Sequence, residues 1–220
     1  IAIQAWNTAR NIVLDALQEG DIDRAERSVI HLLAIETGLS EREVPTLAFG
    51  NQTRGSAVLD MRARALRRPE LRPADSFRPP TGSESIWLDT GGDVLFPVSD
   101  SVLVLASVLL RTRRRHPSRR ASSLLVSTQE PVAILRNAIA EAGLSGTVRA
   151  SDYRLRLAST LTEKLGPDAA QVAFGDTFGL SAAPTYYCKF QSASIAQALA
   201  SCIAPISGQP GASPRTLARC

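Results

Sequence analysis

The residues with the most evident chemistry are two adjacent tyrosines, Tyr186 and Tyr187. They stand after a turn rich in Gly, Ser, Ala and Pro in AFGDTFGLSAAPTYYCKFQ, residues 173–191. Lys189 lies two positions further on, and an apolar helical stretch follows. A phenol in this setting is either the polar end of a buried ring or a nucleophile, and the pattern leaves both roles open. The second chemical feature is guanidinium. Of the 25 basic residues only Lys164 and Lys189 are lysines. Arginine forks pair bidentately with phosphates and carboxylates. One arginine-rich stretch, residues 50–82, carries Arg54, Arg62, Arg64, Arg67, Arg68, Arg72 and Arg78. It reads either as a solvated connector or as a phosphate-contacting arm. The other, RTRRRHPSRR over residues 111–120, holds six arginines in ten positions, including Arg111, Arg113, Arg114 and Arg115. Cations suit a helix C-terminus, but six exceed that need and point toward a nucleic-acid contact.

Other chemistries are disfavoured. With only His31 and His116, a serine or cysteine hydrolase would lack a well-placed base. There is no Gly-rich phosphate loop after a strand, no HExxH and no GxSxG. Cys188, Cys202 and Cys220 are odd in number and lack CxxC spacing, against both a disulfide framework and a zinc site. A reducing cytoplasm is the simplest home. The longest strongly apolar run, residues 102–110, falls far short of the ~20 residues of a membrane span, so no membrane partner is expected. A length of 220 residues suits one large domain or two small ones, and 44% hydrophobic with 21% charged content is ordinary for a globular chain. A net charge of +4 permits a polyanionic partner without demanding one. The chain begins at Ile1 with no visible signal peptide, which suggests a fragment or processed chain that an upstream domain could precede.

Helical spacing dominates the elements that must position these groups. Residues 3–17 place Ile3, Trp6, Ile12, Val13 and Leu17 at helical spacing, and Gly20 ends the run. Residues 21–35 read as an amphipathic helix with Ala25, Val29, Leu32, Leu33 and Ile35 inward and His31 at the surface or core edge. Gly38 suits a left-handed C-cap, while Ser40 and Glu43 form a capping box with Leu39 and Val44 as its hydrophobic staple, restarting a helix. A helix is expected over residues 56–66, then an extended loop. Residues 85–88 and 94–98 are β-like runs joined by DTGGD, a hairpin signal. Further helices are expected over residues 100–110, capped by Ser99 or Asp100, and over 131–142, 152–165, 167–174 and 194–203. The expected fold class is mainly α with a small β-hairpin or sheet (α+β). Residues 1–205 form the domain and 206–220 a C-terminal tail.

Read in order, four segments resemble the catalytic domain of the tyrosine recombinases, the phage-integrase family. HLLAIETGLSEREVPTLAF is similar to the family's long apolar helix followed by T-G-L-R-x-x-E-L. SIWLDTGGDVLFPVSDSVL is similar to its lysine-bearing hairpin, R-x-x-P-L and helix. LLVSTQEPVAILRNAIAEAGLSGTVRASDYRLRLASTL is similar to the stretch ending in H-x-L-R-x-x-x-A-T, and AFGDTFGLSAAPTYY to the closing L-G-H and T-x-x-Y. The likeness spans residues 21–203. It implies a site in which two arginines and two histidine-type positions stabilise the scissile phosphate. A lysine protonates the leaving 5′ oxygen, and a tyrosine attacks phosphorus to give a 3′-phosphotyrosyl link, with no metal or other cofactor.

The resemblance implies Tyr187 or Tyr186 as the nucleophile and Arg156 as the second arginine, with Tyr153 in the first histidine position. Ser40 stands at the first arginine position, Asp89 at or near the lysine and Leu180 at the second histidine. Arg42 is near Ser40, but two residues along a helix turn it by roughly 200°. The expected function is therefore binding of double-stranded DNA in recombination or integration of a mobile element, with a degenerate catalytic site. Arg42, Arg154, Arg111, Arg113, Arg114 and Arg115 are the expected DNA contacts. The alternatives are an active recombinase and a protein-interaction module without DNA. The family resemblance places the protein in a bacterial cytoplasm, at the nucleoid. It also implies that the helix over residues 194–203 docks onto itself in another subunit or onto a partner recombinase, although its apolar residues would serve equally as core.

Overall fold

A computed structural model of the chain describes residues 2–49, 57–68, 94–115, 133–174 and 192–207. The architecture is mainly helical with one small sheet. Helix α1 spans Ala2–Glu19 and α2 spans Ile22–Thr37. They pack side by side, and α2 runs through the centre of the domain. Asp21 caps α2, its carboxylate accepting from the Arg24 N–H at 3.0 Å. From Ser28 to Thr37 every residue of α2 is buried, His31 included. An amphipathic helix with His31 at the surface or core edge was expected. The run Val29-Ile30-His31-Leu32-Leu33-Ala34-Ile35 is apolar on all sides but one, and such a helix is satisfied only when other elements cover its whole circumference.

Gly38 ends α2 in the left-handed region, φ 65°, with its N–H on the Ala34 carbonyl. A Cβ here would stand 3.1 Å from the Arg154 Cα and the Phe174 ring, so both conformation and space require glycine. After Gly38 the chain makes a turn and a single 3-10 turn, Val44–Thr46. The expected helix restart goes no further than this, because the chain then enters the sheet.

The sheet contains β1 (Ala48–Phe49), β2 (Val58–Asp60), β3 (Ala65–Arg68) and β4 (Val94–Pro97), in that spatial order. β1 pairs parallel to β2; β2–β3 and β3–β4 are antiparallel. The helix expected over 56–66 is instead the β2–β3 hairpin. The Asp60 carboxylate accepts from the N–H groups of Arg62 and Ala63 at 2.9 and 3.0 Å, and Arg64 adopts φ 54°. A side chain that turns its own backbone in this way competes with the helix, and it wins at Asp60. The 85–88 run and the DTGGD hairpin lie outside the described residues.

Beyond the sheet come α3 (Asp100–Arg114), α4 (Ile134–Glu141), α5 (Ala150–Leu165), α6 (Pro167–Phe174) and α7 (Ser192–Ser207). Ser99 caps α3. α3, α4 and α5 pack around α2, while α7 lies against β4, α5 and α1. Ile195, Leu199 and Ile203 of α7 are buried within the chain, so the apolar residues that suited subunit docking serve as core. α7 runs two residues past the expected domain end at 205, and residues 208–220 lie outside the described set. Among the described residues no helix is long and apolar enough to cross a membrane.

Candidate functional site

The C-terminal turn of α2 is where two of the expected site residues, Arg154 and Arg156, come together. A helix leaves its last four carbonyls without intrahelical partners and carries partial negative charge there. This end is buried, so water cannot serve them. Two guanidinium groups do so, one from α5 and one from β3, and a third lies beside them. Arg156 of α5 donates to the Ile35 carbonyl at 2.8 Å. Arg68, the last residue of β3, donates to the Thr37 carbonyl at 2.8 Å and stacks over Phe96, 4.2 Å from the ring centroid. Arg154, two residues before Arg156, donates to the Phe174 carbonyl and stacks over that ring at 5.0 Å.

Glu43 supplies the counter-charge. It accepts from Arg68 at 2.5 Å, lies 3.7 Å from Arg154, and accepts the N–H and hydroxyl of Ser40, both at 2.8 Å. Burial alone would push this carboxyl up, but Arg68 and the Ser40 hydrogen bonds outweigh it and hold it below the usual carboxylate range. Ser40, which stands where the resemblance places the first arginine, is thus tied into a local turn. The backbone-to-Glu43 half of the expected capping box is present, without the α-helix it would start.

Tyr153, which stands where the resemblance places a histidine, is buried. Its hydroxyl is 2.8 Å from His31 Nε2. Burial pushes the phenol up to about 12 and the imidazole down to about 4, so both are neutral near pH 7. Beside them Glu36 joins three helices. It accepts from Trp6 of α1 at 2.8 Å, and from the Ser99 N–H and hydroxyl at 2.8 and 2.7 Å at the start of α3. Desolvation raises this carboxyl even against those bonds. Neither group was expected to matter. An apolar-helix His and Glu one turn apart from other apolar residues carry no spacing signal until the helix is known to be enclosed.

The other expected contacts divide sharply. Arg42, Arg111, Arg114 and Arg115 are exposed. Arg113 is 3% exposed and lies 3.5 Å from Glu26, itself 1% exposed. Arg68 was an undistinguished member of the arginine-rich 50–82 stretch. Its signal was available in the period of two that puts Leu66 and Arg68 on one face of a strand, but only once the strand is recognised. Tyr186, Tyr187, Lys189, Asp89 and Leu180 lie outside the described residues. In sequence Tyr186 and Tyr187 follow Phe174, whose carbonyl Arg154 holds, by 12 and 13 positions.

Chemically, the cluster can neutralise helix carbonyls and hold the α2 end, sheet and α5 together. Three guanidinium groups against one carboxylate leave it net cationic, with Arg154 and Arg156 only partly covered. Among the described residues no group of three or more His, Cys, Asp and Glu side chains is placed to hold a metal ion. Compared with known proteins, the chain matches no family model, no curated protein and no solved structure.

Proposed function

We propose that this chain is a DNA-binding protein of the tyrosine-recombinase type, with a degenerate catalytic site, acting in recombination or integration of a mobile element. One observation carries the non-catalytic part. The first arginine position is Ser40, whose hydroxyl is held by Glu43, and Arg156, in the second position, spends a donor on the Ile35 carbonyl. A phosphoryl-transfer site needs donors aimed at charge that develops on the phosphate, and losing one such donor costs on the order of 10²–10³ in rate. The DNA-binding part is supported by the four ordered sequence segments and by the exposed arginines Arg42, Arg111, Arg114 and Arg115. The helix-rich frame, with its small sheet placed between the first and second segments' helices, is compatible with this reading.

A nicked suicide duplex tests cleavage. The expected result is a salt-sensitive gel shift with no covalent adduct, unchanged in Tyr186→Phe and Tyr187→Phe. An adduct that disappears with either substitution would make the protein an active recombinase. No shift at low salt would instead favour a protein-interaction module.

A further inference from the structure

Helix α3 ends on Arg111-Thr112-Arg113-Arg114, with Arg115 as its C-cap residue. A helix advances about 100° per residue, so Arg111, Arg114 and Arg115 share an arc of about 100°, and Arg113 points about 160° away from Arg111. Burial follows this geometry. The three on the arc are exposed, while Arg113 is enclosed against Glu26 of α2. Residues 101–115 contain no Asp or Glu.

Resting on the DNA-binding reading above, we infer that the last turn of α3 grips the phosphate backbone of duplex DNA through Arg111, Arg114 and Arg115. Arg113 touches no DNA. It is enclosed in an ion pair with Glu26 of α2, on the side of the helix away from the other three, and serves the fold. The dimensions agree. Residues 111 to 115 span about 6 Å of helix axis, and each strand of duplex DNA carries one phosphate per ~3.4 Å, so about two phosphates of the facing strand lie along that stretch and the next one on either side is within reach of an arginine side chain. Three cations match them. Val104 and Val108 continue the same stripe toward the helix start, at 60% and 39% exposure. An acidic amphipathic protein helix would use both halves of the stripe, whereas a phosphate backbone needs the arginines alone.

The test is binding of the whole chain to a mixed-sequence duplex, followed by anisotropy across a salt series. Arg111→Gln, Arg114→Gln and Arg115→Gln should each reduce the slope of log K against log salt by about 0.9. Arg113→Met should lower the melting temperature and leave the slope unchanged. If that variant does not fold, the pair Glu26→Gln with Arg113→Met, which removes both charges together, takes its place. The double variant Val104→Ala, Val108→Ala should bind DNA as the unsubstituted chain does. Undiminished slopes in the three Gln variants, a reduced slope in the Arg113 variant, or lost affinity in the valine variant would each overturn this inference while DNA binding stands. Failure of the unsubstituted chain to bind duplex at low salt would remove the DNA-binding reading itself.

Discussion

Arg68, Arg154 and Arg156 gather at the end of α2; Arg111, Arg114 and Arg115 gather at the end of α3. Both sets sit at or near a helix C-terminus, where cations are favoured. Their surroundings differ. The end of α2 is enclosed by the sheet, α5 and α6, so its carbonyls must be met by side chains from those elements, with Glu43 balancing part of the charge. The end of α3 reaches the surface, and its arginines face solvent except for Arg113. The same residue type therefore holds the fold in one place and stands exposed at the surface in the other. Burial of the helix end decides which.

The sharpest contrast is predicted at Arg68. Arg68→Ala leaves the Thr37 carbonyl without its donor and the half-buried Glu43 without its nearest cation, and should lower the unfolding free energy by about 3 kcal/mol, read from urea denaturation. A loss comparable to that of a surface substitution would mean that the α2 cluster holds nothing together.

Glu36 comes next. Glu36→Ala leaves the Trp6 indole N–H and the Ser99 N–H without their acceptor, at about 1–3 kcal/mol for each group stranded. Glu36→Gln keeps an acceptor and removes a carboxyl that burial already disfavours as an anion, so it should be the milder change. Equal losses in the two variants would show that charge, not hydrogen bonding, is what the site requires.

His31 gives the cluster a pH dependence. The folded imidazole stays neutral down to about 4, whereas the unfolded one takes a proton near 6.5. Its contribution is complete above 6.5 and is lost as pH falls through the window down to about 4. The shift corresponds to about 2 kcal/mol between pH 7 and pH 5. Denaturation at the two pH values should show this decline in the native chain and a smaller one in His31→Gln, which keeps a partner for Tyr153. A native chain equally stable at both would contradict the enclosed, neutral histidine.

The smallest effect belongs to the outer set. Arg111→Gln should change stability by no more than about 0.5 kcal/mol in the absence of DNA. A larger loss would place Arg111 among the structural arginines and erase the contrast with α2.

Several elements were legible from periodicity and caps alone. α1, α2, α3 and α5 follow the apolar spacing, and Ser99 and Gly38 mark boundaries that the structure places at the same residues. Each of those signals is local, set by a few neighbouring side chains and one backbone conformation. The β2–β3 hairpin was not legible, because helix and strand readings of residues 56–66 differ by a turn that a single carboxylate, Asp60, determines. The parallel pairing of β1 with β2 has no local signal at all.

For the candidate site, residue type was readable and orientation was not. The chain's arginine bias, the position of Ser40 and the alignment of Tyr153 with Arg156 stand in the sequence. Which arginine faces a carbonyl and which faces solvent depends on whether a helix end is enclosed, and the elements that enclose it come from residues up to 121 positions apart. Arg113 and Arg114 are adjacent in the chain, yet one is sealed against Glu26 and the other is exposed. A helix separates neighbours by 100°, and the packing partner on one side, absent from any local stretch of sequence, turns that angle into two different roles.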